Sequence, residues 1–154
     1  MFPFRTDRED RPWLVLFALL ALVEVTVLFV LSFQMAGGHF MLPLDDSYIH
    51  LQYADQLAGG EPLSYSPGGA LSGGMTSPLY VILLAPVFLL GLGGVKAAFL
   101  AFLFGAALWM LLPLWTYQLV KRLTNCQCGA AAAGLVLAHG HLLWNFLSGM
   151  ETAL

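Results

Sequence analysis

Hydrophobic and polar positions fall into blocks along this chain rather than alternating. The first eleven residues carry six charges of mixed sign. Trp13 to Met35 is then apolar except for Glu24, Thr26, Ser32 and Gln34. As a helix that stretch rises about 35 Å, enough to cross a bilayer. It is too long for a signal-peptide core, and no A-x-A site follows it. Residues 13–35 are therefore read as a first transmembrane helix behind a solvated cytoplasmic leader, 1–12.

The next block, 36–76, is rich in Gly, Pro, Ser and acid, and no Lys or Arg occurs between Arg11 and Lys96. By the positive-inside rule this loop lies outside. Leu79 to Leu90 is again apolar but short, and contains Pro86. Two readings compete for it. As a full span it would put Lys96 inside, and Lys121 and Arg122 outside. As a short helix at the outer interface it leaves 95–120 to cross inward, which places Lys121 and Arg122 in the cytoplasm. We adopt the second, with Lys96 snorkelling near the outer end. The outer loop then runs from 36 to 94, a cytoplasmic turn covers 121–128, and 129–147 crosses outward. Residues 148–154 emerge outside with Glu151. The expected fold is an all-α integral membrane protein with about three transmembrane helices, plus juxtamembrane and interfacial helices in a large outer loop. The last residues, 149–154, read as the start of a further apolar segment, so a longer chain is expected.

Composition removes the alternatives. Of 154 residues, 59% are hydrophobic and 10% charged, and the mean hydropathy is +0.79. A soluble domain has about 25% charged residues, so a water-soluble fold and a disordered tail are excluded. Two cysteines do not make a disulfide scaffold. Six Lys plus Arg against nine Asp plus Glu, with a net charge of −3 and no basic patch, argue against nucleic acid as a partner. The expected partner is the lipid bilayer.

The candidate chemistry lies in the outer loop. In the run from Leu42 to Gly60, Pro43 stops the preceding segment and Asp45 is placed to cap a helix from Asp46 to about Ala58, which Gly59 and Gly60 end. Ile49, Tyr53 and Leu57 share one face, and Asp46 and His50 a neighbouring one. Asp45 and Asp46 read either as caps favoured by the helix dipole or as working carboxylates. Adjacent carboxylates raise each other's pKa, so one can act as a base while the other binds a metal or a hydroxyl. The turn-rich segment Glu61 to Tyr80 carries aromatic residues and suits the lining of a site. Glu151, flanked by Gly149, is either a solvated helix end or a third acid on the same outer face.

The stretch DDSYIHLQYADQLAGGEPLSYSPGGALSGGMTSPLY resembles the first outer loop of GT-C-type membrane glycosyltransferases, including mannosyl-, arabinosyl- and aminoarabinose-transferase-like enzymes. Their pattern is D-D-x-Y/F-I-x-x-R/Q-Y-A, a Gly-rich turn, an N/S-P-G turn and G-x-T-x-P-L. The later S-G-M-E-T-A-L is similar to their second acidic motif. The resemblance covers about residues 10–154, the N-terminal part of such an enzyme. It implies a polyprenyl-phosphate sugar donor and a glycan, lipid or protein acceptor. It also implies a plasma (bacterial inner) membrane location with the N-terminus cytoplasmic. By the same resemblance, Asp45 or Asp46 is the catalytic base and Glu151, His50 and Tyr53 are substrate-binding. A divalent cation, if one takes part, would sit on Asp45 and Asp46. The chain departs from the pattern at Gln52, where Arg is common, and at Ser77, where Asn is frequent. The outer loop also lacks cations for the donor phosphate.

A second class of function is a non-catalytic membrane subunit or a small transporter built around Glu24, whose mid-span acid would cost about 2.5–3.5 kcal/mol on insertion scales unless it faces partner helices. His139 and His141 fall on different helix faces. Cys126 and Cys128 do not complete a zinc site. Trp13, Trp109, Trp115 and Trp144 read as span or interface residues.

Overall fold

The computed structural model describes residues 8–150. Its elements are a 3-10 turn, Arg8–Asp10, and six helices. These are α1 (Arg11–Met35), α2 (Asp46–Ala58), α3 (Pro78–Leu89), α4 (Val95–Leu123), α5 (Cys126–Leu137) and α6 (Gly140–Leu147). Among the described residues there is no strand, only an isolated antiparallel bridge between Ser64 and Leu71 in the loop after α2.

Two helices are long and apolar enough to cross a membrane: the continuous stretch Arg8–Met35, and α4. They run antiparallel. Near the start of α1, Phe17 packs with Tyr117 of α4 and Ala133 of α5. Near its end, Phe29 meets Phe40, Phe99 and Phe102, with ring centroids 5.9, 6.4 and 5.8 Å away. The end that holds the α1 start and the α4 finish is closed by a buried polar cluster. Asp10, fully buried, accepts from the Tyr117 hydroxyl at 2.8 Å and pairs with Lys121. The expectation of a solvated leader therefore fails at Asp10. Burying that carboxylate demands a cation and donors beside it, and the last turn of α4 supplies both.

The expected turn at 121–128 is shorter than its charges suggested. Lys121 and Arg122 stay helical in the last turn of α4, where cations suit the helix dipole. Asn125 then caps α5, its side chain accepting from the Cys128 N–H at 2.9 Å.

The third predicted span, 129–147, is not one continuous helix. α5 and α6 are bent by 62°. At the break the Leu142 N–H donates to the His139 carbonyl at 2.9 Å and is shared with the His139 ring nitrogen, Nδ1, at 3.3 Å, so His139 caps a new helix beginning at Gly140. α6 then lies against α4, with Phe146 and Trp109 rings 5.6 Å apart. Ala97, Ala101 and Gly105 form a buried small-residue stripe at four-residue spacing on α4, the pattern that lets helix backbones approach closely. At Gly105 the approach is extreme. A Cβ there would stand 1.9 Å from the Phe146 carbonyl oxygen.

At the opposite end from Asp10, α2 and α3 pack on each other and on the first turns of α4. Leu42, Leu51, Tyr80, Val81, Leu84, Ala98, Phe102 and Leu147 share one core there. α3 begins with Pro78, already set for the first helical turn. Its twelve residues rise about 18 Å, short of a hydrocarbon core about 30 Å thick. Tyr80, Val81, Leu84 and Ala85 are buried, whereas Leu79, Ile82, Leu83 and Leu89 are exposed.

Candidate functional site

The helix expected over 46–58 forms at Asp46–Ala58, with Gly59 at its C-terminal end. Asp45 occupies the N-cap position, yet its side chain makes no capping hydrogen bond. Its backbone is already helical, at φ −64° and ψ −36°, not the extended geometry that turns a cap side chain onto the helix N–H groups. Both Asp45 and Asp46 are exposed, and among the described residues neither carboxylate has a hydrogen bond or an ion pair. The two acids thus project from the positive end of a helix, open to a ligand.

Ser148 and Gly149 are held against that helix start and against α3. Ser47 donates to the Ser148 carbonyl at 2.6 Å, and the Tyr80 hydroxyl donates to the Gly149 carbonyl at 2.9 Å. Gly149 has φ +78°, and a Cβ there would press on Leu42 at 2.7 Å. Only glycine combines that backbone with that contact. Glu151 itself lies outside the described residues.

His50 and Tyr53 are both 2% exposed. His50 meets the Tyr80 ring edge-on at 5.6 Å, with Nε2 3.4 Å from the Thr76 hydroxyl. The Tyr53 hydroxyl donates to Ser72 Oγ at 2.8 Å and accepts from the Gly74 N–H at 3.2 Å. Tyr53 therefore anchors the Gly-rich stretch 72–74 to α2. The rest of that loop is tied by the bridge between Ser64 and Leu71 and by Glu61, whose carboxylate accepts from the Gly68 N–H at 2.8 Å. The turn-rich segment is a folded cover on α2, not a linker.

As for metal, no three His, Cys, Asp or Glu side chains among the described residues group closely enough to hold an ion. Asp45 and Asp46 alone supply carboxylate oxygens. That is a donor set magnesium uses when water and substrate phosphate complete its shell.

Two features of this end escape a reading of the sequence alone. On the side of α2 turned away from His50, a cavity of about 390 Å³ is lined by Tyr48, Gln52 and Asp55, by Tyr65 from the loop, by Phe88 at the end of α3, and by Val95. Tyr48, Gln52 and Asp55 follow helical spacing, so their shared face was readable. Tyr65, Phe88 and Val95 come from three other segments and were not. Next to it, Phe40, Leu92, Val95, Phe99 and Leu100 form an apolar groove with Lys96 at its edge. Val95 lines both.

In the middle of α1, Glu24 accepts from the indole N–H of Trp109 at 3.0 Å. Trp109 is fully buried, so the acid meets a donor that would otherwise be costly to bury. Compared with family models, curated proteins and solved structures, the chain matches none.

Proposed function

We propose that this chain carries the first outer-face chemistry of a GT-C-type membrane glycosyltransferase. As the N-terminal part of such an enzyme, it contributes to moving a sugar from a polyprenyl-phosphate donor to an acceptor hydroxyl. Asp45 or Asp46 takes the proton from that hydroxyl. The freed oxygen forms a bond to the anomeric carbon, the bond from that carbon to the phosphate oxygen breaks, and polyprenyl phosphate leaves with the electron pair.

The observation that carries this reading is the docking of Ser148 and Gly149 onto the start of α2 and onto α3. Ser47 and Tyr80 hold the carbonyls of Ser148 and Gly149. The described start of the second motif, Ser148 and Gly149, lies beside the helix start that carries the first, which supports a shared site. Asp45 and Asp46 stand there exposed and without protein partners among the described residues, as a base awaiting an acceptor must.

Charge sorting supports the orientation. Arg8, Arg11, Lys121 and Arg122 gather at one end of the α1–α4 pair, and Asp45, Asp46, Asp55 and Glu61 at the other. The positive-inside rule favours a cytoplasmic first end, and the family resemblance implies a bacterial inner membrane. The short α3, apolar on its exposed side, suits the outer interface. The apolar groove lined by Phe40, Leu92, Val95, Phe99 and Leu100 supports contact with a lipid chain. The Glu24–Trp109 bond favours a packing role for Glu24 over a transport role.

The test is sugar transfer in a host lacking its own copy of the gene, complemented with the natural gene carrying D45A, D46A or both. Transfer of labelled sugar from polyprenyl phosphate is expected to fall sharply in at least one single variant and in the double variant. Wild-type transfer in all three would remove the base assignment. Unchanged transfer on deleting the gene would remove the activity.

A further inference from the structure

We propose that the cavity between α2, the Tyr65 loop and the α3–α4 corner binds a neutral or cationic sugar ring. This deepens the glycosyltransferase reading and rests on it for the sugar being a substrate. The binding claim itself stands on the cavity. Its volume of about 390 Å³ lies within the roughly 300–1,000 Å³ of small-molecule sites. Three of its walls are aromatic, Tyr48, Tyr65 and Phe88. Ring faces carry the negative side of the aromatic quadrupole, and the C–H bonds on one side of a pyranose present the complementary weak positive charge.

The polar groups converge on the same space. The side chains of Gln52 and Asp55 and the Tyr65 hydroxyl make no hydrogen bond among the described residues. The Tyr48 hydroxyl accepts from the Leu42 N–H at 2.9 Å, which leaves its proton to donate. The residues that line the cavity thus include an amide, a carboxylate and a phenol without protein partners among the described residues, suited to a ligand rich in vicinal hydroxyls. Its charge sets the class further. Asp55 lines it and no Lys or Arg does, so a phosphate or uronate is repelled and an ammonium-bearing or neutral sugar is accepted. Val95 lines both this cavity and the neighbouring apolar groove.

The test is saturation-transfer NMR on the full chain in lipid nanodiscs, with methyl mannoside and glucosamine as probes and glucose 6-phosphate as the anionic comparison. Ring protons of at least one of the two probes are expected to receive saturation, and glucose 6-phosphate less. Losing the carboxylate in D55A or the ring in Y65A is expected to weaken binding about tenfold, the usual effect of removing a hydrogen bond to a charged group or an aromatic wall. Asp55 is exposed and holds nothing in the fold, so D55A reads the site even if Y65A unfolds. No saturation transfer to either probe, undiminished binding in D55A, or preference for glucose 6-phosphate overturns the proposal. The two readings fail separately. Binding that survives while D45A and D46A leave transfer intact keeps the site and removes the base. Transfer that depends on Asp45 or Asp46 without sugar binding at Asp55 keeps the reaction and removes the site.

Discussion

Ser47 and Ser148 meet across 101 residues of chain, the Ser47 hydroxyl donating to the Ser148 carbonyl at 2.6 Å with both residues buried. Tyr80 holds the next carbonyl, Gly149, in the same way. Removing the Ser47 hydroxyl leaves a buried acceptor short of its donor, so S47A is expected to cost about 1–3 kcal/mol. Y80F is expected to cost a similar amount. Because the two donors serve adjacent carbonyls, the double variant should depart from the sum of the singles. Thermal unfolding of the four proteins checks this. Strict additivity would mean that the two contacts do not act as one clasp.

Glu24 offers a sharper discrimination. Its carboxylate is an acceptor for the buried Trp109 indole. Gln retains an acceptor oxygen, so E24Q should leave stability nearly unchanged. Leu leaves the indole N–H unpaired, and E24L should lose about 1–3 kcal/mol. Unfolding curves of both variants test the packing role. An E24Q protein of normal stability that loses proton-coupled uptake in proteoliposomes would instead assign Glu24 to transport.

Gly105 and Gly134 form a matched pair for a backbone test. A Cβ at Gly105 would fall 1.9 Å from the Phe146 carbonyl oxygen, while at Gly134 it would meet nothing within 4 Å. Main chain cannot swing aside, so α4 and α6 must separate in G105A, costing about 1–3 kcal/mol or more. G134A, in the interior of α5, should be neutral or stabilise by about 0.5–1 kcal/mol. Melting temperatures of the two variants are expected to move in opposite directions or only for G105A. Equal behaviour would contradict the close α4–α6 approach.

Topology is checked by cysteine labelling, in a background with Cys126 and Cys128 replaced by serine. Ser66 lies in the exposed loop over α2, and Thr124 at the far end of α4 beside Lys121 and Arg122. An impermeant thiol reagent on intact cells is expected to label S66C, and T124C only after permeabilisation. Labelling of T124C from outside would mean that the chain crosses the membrane once more or once fewer between these positions.

Much of this architecture was legible along the chain. The apolar blocks at 13–35 and 95–120 correspond to α1 and α4, because hydropathy alone fixes which segments suit a bilayer. The helix at 46–58 was legible from Pro43 and the glycine pair, since local turn chemistry needs no tertiary partner, although the capping bond expected of Asp45 does not form. His139 escaped notice as a breaking point because a histidine ring accepting an N–H carries no signature in composition. The burial of Asp10 escaped too. Charge next to a span normally means solvent, and only Lys121 and Tyr117, more than a hundred positions away, make its burial tolerable.

At the candidate site the division is similar. Asp45 and Asp46 were singled out by adjacency, but their freedom from capping bonds follows from the helical backbone at Asp45. His50 and Tyr53 were singled out by helical position. Their hydrogen bonds to the loop at 72–76 emerge only once that loop folds back over α2.

The sequence by itself determined an all-helical chain with long apolar segments and an acidic loop free of Lys and Arg, because these are sums over local residue properties. Only the tertiary structure decided that Ser47 and Tyr80 clasp residues 148 and 149. It also decided that α6 turns in against Gly105, and that Tyr48, Gln52, Asp55, Tyr65 and Phe88 enclose one cavity. Each of these depends on segments far apart in the chain being packed together. No local pattern encodes a distance between side chains on different helices.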